Sequence, residues 1–310
     1  MHRRQQAITT LQENDARVDR IDRPKISWPG GARIAVWVAP NIEHYEYDPP
    51  SNPQRAVTPR PSPDLTWLTL RDYGNRAGVW RMMDVMDRYA VRGSVSLNVG
   101  VCDHYPEIIE ACVARDWELF SHGVYNTRYL YGMDADQQRA LIADVRDTIF
   151  KASGQPLSGW LSPALSNNVD TLDLLAEAGV LYTADLMHDD QPLPVKVRSD
   201  KKFISVPYSL EINDYTCLAQ KRLTPRRYTE TIKDQFDQLY EEGADNPRVM
   251  CIPLHPWLIG LPHRIREFDE TLRYITRRDK VWMTTGREIA QWYMAHHYDD
   301  VTRAIAARKD

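Results

Sequence analysis

The sequence predicts an α/β fold, a parallel sheet wound into a barrel with its helices outside, and three observations carry that prediction. Seven or so short apolar segments of strand length alternate with segments of helical periodicity. No G-x-G-x-x-G follows the first apolar segment and the chain holds no P-loop, so a dinucleotide-binding or phosphoryl-transfer sheet lacks its anchor. Polar groups, two histidines among them, stand at the carboxyl end of nearly every apolar segment, where α/β barrels place their chemistry.

The elements follow in order. Residues 1–30 are polar, carry Pro24 and Pro29, and read as an N-terminal arm or subunit contact. Ala32 to Ala39 form a buried strand that runs out at Pro40-Asn41-Ile42-Glu43. Pro49, Pro50, Pro53, Pro59, Pro61 and Pro63 then make a connection too stiff for a helix and too long for a passive loop, a candidate lid over 49–63. Val79, Met82, Met83, Met86 and Tyr89 repeat at helical spacing over 77–90, and a strand is expected at 94–99. Further helices are expected near 106–115, 134–152, 169–178, 224–242, 265–276 and 284–296. Strands are expected near 117–120, 158–161, 180–184, 203–207, 248–254 and 280–283. Thr224-Pro225 is a good helix start, the hydroxyl as cap and proline in the first turn. The catalytic domain is therefore expected over 31–297, with a C-terminal tail at 298–310.

Composition narrows the function classes. The chain has 310 residues, 43% of them hydrophobic and 26% charged, enough for one large core. A net charge of −4 gives no electrostatic case for nucleic acid or an anionic membrane as partner. Cys102, Cys112, Cys217 and Cys251 show no C-x-x-C spacing and read as reduced thiols. No run is long and apolar enough to span a bilayer, and the basic N-terminus lacks an apolar signal region, so cytoplasmic localisation is expected. No organic cofactor is implied.

The candidate site is read from the strand ends. Glu43, with Asn41 two residues before it on the same face, follows the first strand; Asn98 follows the second. Ser121-His122-Gly123 and Asn126 follow the third, then Ser162-Pro163, then Asp185 with Asp189 and Asp190, and finally His255. Each has a plainer reading. Glu43 also reads as a surface carboxylate, His122 as a ring packed on Tyr125 or Tyr129, and His255 as a core histidine satisfied by a carbonyl. Asp189-Asp190 also reads as a solvated turn, and Arg76 either as a bidentate substrate clamp or as a structural ion pair. There is no G-x-S-x-G elbow and no H-E-x-x-H helix, which removes serine-hydrolase and zincin chemistry.

Jointly these residues resemble the polysaccharide deacetylase superfamily, and more closely its allantoinase-like branch of allantoinases and cyclic imide hydrolases. The resemblance spans roughly residues 28–295. It rests on Ala32 to Val36 leading to Asn41-Ile42-Glu43, on Tyr73-Gly74-Asn75-Arg76-Ala77-Gly78-Val79-Trp80, and on Trp117-Glu118 before Ser121-His122-Gly123. Gly159-Trp160-Leu161-Ser162-Pro163, Asp189-Asp190-Gln191-Pro192 and Leu254-His255-Pro256-Trp257-Leu258-Ile259-Gly260 complete it. The resemblance implies a distorted, incompletely closed (β/α)7 barrel of about seven strands and often a homo-oligomer, a dimer or tetramer.

The departures from the family pattern matter. Where the family carries two adjacent aspartates after the first strand, this chain reads Asn41-Ile42-Glu43. The family's H-x-x-x-H metal motif reads His122-Gly123-Val124-Tyr125-Asn126, so one imidazole is a carboxamide. The arginine that commonly precedes the family's x-P-x segment is missing from Leu161-Ser162-Pro163-Ala164. A divalent metal such as zinc, held by Glu43, His122 and Asn126, would be weakly bound or dispensable.

The leading expectation is hydrolysis of a C–N bond in a small cyclic amide, imide or ureide. Glu43 activates water, oriented by His122, and His255 protonates the leaving nitrogen. Asn41 and Asn126 hold the oxyanion, and Arg76, Trp160, Asp190 and Trp257 shape the pocket around a small-molecule substrate. The rivals are a metal-dependent N-deacetylase acting on an N-acetyl sugar or other acyl-amide, and a catalytically inactive family member that binds or assembles.

Overall fold

The computed structural model describes residues 23–49 and 63–307. Residues 1–22, most of the proline-rich connection (50–62) and 308–310 lie outside them, and with them most of the expected arm and lid.

A fully buried strand, β1 (Ile34–Ile42), is the axis of the sheet. Its run of apolar side chains lets both faces be covered, which is why the sequence shows no alternation there. Its neighbours are β2 (Ser94–Leu97) and β8 (Arg248–Leu254), both parallel to it, and β9 (Val281–Thr284) pairs with its first half. Beyond β2 the sheet continues in parallel through β3 (Glu118–Ser121), β4 (Gly159–Trp160), β5 (Tyr182–Thr183) and β7 (Ile204–Ser205). β6 (Leu193–Pro194) lies antiparallel on the far edge. Among the described residues the strand order is β6-β7-β5-β4-β3-β2-β1-β8, so the edges β6 and β8 do not pair. This is the expected curled α/β sheet, a barrel left incompletely closed.

The gap beside β8 is bridged by loops. The Val249 amide donates to the Asp190 carbonyl at 2.8 Å, and the Cys251 amide to Ser209 Oγ at 3.1 Å. Gln191 Nε2 donates to Asn246 Oδ1 at 2.9 Å and to the Pro247 carbonyl. An open parallel edge would otherwise leave a row of unpaired backbone groups. The segment around Asp190 therefore bridges the open side of the barrel.

The helices fall close to the expected positions because their caps are written locally. Helix α5 (Ala135–Ser153) starts at a capping box of Asp134 and Gln137, and α7 (Pro225–Glu242) starts at Thr224 with proline in its first turn. Helix α1 (Leu65–Tyr73), capped by Asp64, was not among the expected helices; it joins helix α2 (Val79–Arg88) through a π-helical turn, Gly74–Gly78. The short helix α8 (Pro256–Ile259) follows β8 directly. The last strand leads into α10 (Gly286–His296), and the expected tail holds a further helix, α11 (Tyr298–Ala306). Two residues of the expected arm, Ile26 and Trp28, are buried in the core, and Trp28 Nε1 donates to the Arg248 carbonyl. That stretch packs on the barrel as part of its core.

Candidate active site

Three strand ends converge. β1 delivers Glu43, β3 delivers His122 and β8 delivers His255, each no more than 8% exposed. Glu43 Oε1 lies 3.5 Å from His122 Nε2 and 3.5 Å from His255 Nε2. One carboxylate oxygen thus faces two imidazoles. Parallel register alone places them at one level, since all three strands end on the same side of the sheet.

Each ring is oriented from behind. His122 Nδ1 donates to the Leu161 carbonyl at 3.1 Å; a carbonyl only accepts, so the tautomer leaves Nε2 towards Glu43. His255 Nδ1 lies 2.6 Å from Asp214 Oδ1, and the His255 backbone amide donates to Asp214 Oδ2 at 2.8 Å. Burial works against a charged His255 ring, but the Asp214 and Glu43 carboxylates outweigh it and push the imidazole up to about 10. It is an imidazolium at neutral pH, with Nε2–H facing Glu43. Burial alone would raise Glu43; the positive charge of His255 and its hydrogen bond hold it well below the usual carboxylate range.

Asp214 was not among the expected site residues. It is fully buried at the start of a π-helical turn, Tyr215–Gln220, in the connection after β7. The strand-end rule applied to the strand at 203–207 points to this connection, and Asn213-Asp214-Tyr215 is its polar segment.

Tyr45, two residues beyond Glu43, donates to Glu43 Oε2 at 2.5 Å and accepts from Asn126 Nδ2 at 2.7 Å. That leaves Asn126 Oδ1 buried without a partner. Asn41 is 1% exposed; its amide donates to the Ala39 and Leu254 carbonyls and its oxygen accepts from Tyr208. The bond to Leu254 ties β1 to β8, and with both donors spent on carbonyls the oxyanion contact expected of Asn41 is not available from this geometry. Its asparagine identity suits this clip, which needs a donor and an acceptor at once.

The cavity above Glu43 encloses about 790 Å³, within the usual size of a small-ligand site. Trp67 and Arg71 from α1, Tyr215, Trp257 and the catalytic groups line it. Trp257 is thus where it was expected.

Three other pocket residues are not. Arg76 points to solvent and pairs with Asp72, its side chain 70% exposed. Trp160 is fully buried and donates from Nε1 to Ser162 Oγ, which in turn donates to Asp185 Oδ2. That chain braces the Leu161 loop behind His122, and burial pushes the Asp185 carboxyl up to about 6. Asp190 has an exposed side chain and serves the barrel seam through its carbonyl.

The Gly74–Gly78 segment matters for another reason. A Cβ on Gly78 would sit 2.0 Å from the Pro256 carbonyl, and one on Gly74 2.6 Å from the Trp257 amide. The two glycines let the turn press against α8. Asn75 between them donates to the Glu43 carbonyl at 2.9 Å. The motif that suggested a substrate clamp is a packing joint.

The donor set does not fit a resident zinc. Glu43 and His122 are two strong ligands and Asn126 Oδ1 a neutral oxygen, whereas catalytic zinc takes three strong protein ligands. Among the described residues no group of three His, Cys, Asp or Glu side chains is placed to hold a metal ion.

Known proteins share this sequence pattern and fold. The polysaccharide deacetylase family profile matches residues 59–183. A Schizosaccharomyces pombe relative carrying the polysaccharide deacetylase name is 27% identical over 299 residues, covering 87% of this chain and 93% of its own. The structure of a probable polysaccharide deacetylase from Pseudomonas aeruginosa PAO1 is 30% identical with a TM-score of 0.78, covering 88% of this chain and 95% of that one. An allantoinase structure is 28% identical with a TM-score of 0.79, covering 88% and 94%. Among the described residues no helix is long and apolar enough to cross a membrane.

Proposed function

The chain belongs to the polysaccharide deacetylase family, hydrolases of carbon–nitrogen bonds other than peptide bonds, and we propose that it opens a small cyclic amide, imide or ureide. The observation that carries this reading is Glu43 Oε1 between two imidazole nitrogens at 3.5 Å in a cavity of about 790 Å³.

Glu43 takes a proton from water as the oxygen attacks the substrate carbonyl, and His122 Nε2 orients that water. The tetrahedral intermediate collapses as the C–N bond breaks, and His255 Nε2 gives its proton to the leaving nitrogen. A carboxylate held so low is a weak base while His255 is charged. As Glu43 takes its proton, the negative charge that helps raise His255 disappears and His255 becomes a better acid. The two transfers therefore reinforce each other. Once the product leaves, the proton on Glu43 returns to His255 and the site is reset.

The orphaned Asn126 Oδ1 accepts and the unpartnered Trp257 Nε1 donates, which suits the alternating N–H and C=O groups of an imide or ureide. A divalent ion, if recruited, would meet Glu43, His122 and Asn126, but no step requires it.

The second reading is acetate release from an N-acetyl sugar or other acyl-amide, which the names of the Schizosaccharomyces pombe and Pseudomonas aeruginosa relatives favour. The test is turnover of cyclic ureides, cyclic imides and N-acetyl sugars by metal-stripped and zinc-loaded protein side by side. Ring opening that survives chelation is the expected result. Acetate release that appears only with zinc would replace this reading with the second, and an intact protein that turns over nothing would refute both.

A further inference from the structure

We propose that Arg71 forms an anion subsite in this cavity and that the substrate carries a carboxylate away from the bond that breaks. The inference rests on the reading of the cavity as a site for a small C–N substrate, and names the class of that substrate.

Arg71 lies one helical turn after Trp67 on α1, so the two share a face. Its guanidinium carbon stands 3.3 Å from the ring centroid of Trp257, 4.7 Å from that of Trp67, 5.3 Å from Tyr45 and 5.8 Å from Tyr215. Four aromatic rings hold the cation in place and keep water from it. Nε and Nη1 are nevertheless buried without a hydrogen-bond partner. Arg76, Arg92, Arg115 and Arg128 each meet a carboxylate, whereas no carboxylate among the described residues pairs with Arg71.

Trp257 Nε1, on the residue stacked against Arg71, is a third buried donor without a partner, and Trp257 is 6% exposed. Donors only, fixed by packing and lining one cavity, are complementary to an acceptor-only group, and a carboxylate is the acceptor that also answers the charge. Tyr45 links the two ends of the site, its hydroxyl on Glu43 and its ring against Arg71. An anion on Arg71 would thus keep its own negative charge at one end while the scissile carbonyl meets Glu43 at the other.

The test is calorimetric binding of hydantoin-5-acetate and of its neutral twin, hydantoin-5-acetamide, to Glu43→Gln protein, in which no turnover interferes. The acetate should bind at least about tenfold more tightly than the amide, the scale of one charge-assisted hydrogen bond. Arg71→Met should erase that preference, and Arg71→Lys should keep part of it, with thermal melting confirming that both fold. Equal binding of the two probes, no binding of the acetate, or a preference that survives Arg71→Met would overturn the proposal. Wild-type protein that opens no ring but binds the acetate through Arg71 would refute the reaction and leave the subsite standing.

Discussion

The two sides of the cavity are built by different physics. The floor consists of strand ends: Glu43, His122 and His255 follow β1, β3 and β8, and backbone register sets them at one level. The wall consists of helical pieces, α1, the Tyr215–Gln220 turn and α8, whose positions depend on how side chains and glycines pack. The floor holds charges locked in mutual hydrogen bonds. The wall holds a cation and ring faces with donors left open. A floor of this kind defines the chemistry, and a wall of this kind selects the molecule. Substitutions should therefore separate into those that remove turnover and those that change binding.

The largest expected loss is on the floor. Glu43→Gln keeps the size of the side chain but cannot take a proton, so kcat should fall by about 10³-fold with the substrate still bound. His255→Ala should fold and lose about 10²-fold or more. Steady-state kinetics on the ring-opening substrate, beside a thermal melt, checks both, and an unchanged kcat in either would break the assignment of the floor.

Asp214→Asn sharpens it. His255 is charged below about 10, so the alkaline limb of the kcat/KM profile should lie near there in the wild-type protein and move downward in the variant. The sign for stability is the same. The raised imidazole contributes fully below the ordinary value of 6.5 and loses that contribution as pH rises through about 10. A limb that stays in place would show that Asp214 holds His255 only by packing.

On the wall, Gly78→Ala brings a Cβ to 2.0 Å from the Pro256 carbonyl, and the joint must open. A loss of about 1–3 kcal/mol in denaturant unfolding is expected, with KM raised more than kcat is lowered. Unaltered stability would mean that α1 and α8 are less tightly coupled than the contact implies. The smallest effect belongs to Arg76→Ala, two residues from that joint. It should leave kcat and KM unchanged, because the side chain meets Asp72, Tyr105 and solvent, none of them in the cavity. A raised KM would return it to the wall.

Most of the floor was legible before any coordinates. A strand end is announced by an apolar run that stops, and parallel order puts every such end on one face, so Glu43, His122 and His255 could be gathered from a single rule. The same rule overlooked Asp214 because its strand is two residues long and its connection turns through irregular helical geometry. Arg76 and Arg71 show the opposite limit. Both precede or follow the same glycine, both are arginines on one helical stretch, and only the direction of the helix decides which of them reaches the cavity. Asp190 and Trp160 were polar or amphipathic residues near strand ends, yet one is spent on the seam of an unclosed barrel and the other on bracing the Leu161 loop.

The sequence by itself determined the class of fold, most of its strands and helices though not α1 or α11, and the carboxylate and two imidazoles of the floor. Those follow from periodicity, caps and strand polarity, which are properties of short stretches of chain. Only the tertiary structure decided the partner of His255, the fate of Asn41 as a clip, and the choice of Arg71 over Arg76. These depend on contacts between residues far apart in sequence, such as Asp214 with His255 and Gly78 with Pro256, and no local pattern encodes which distant neighbour a side chain will meet.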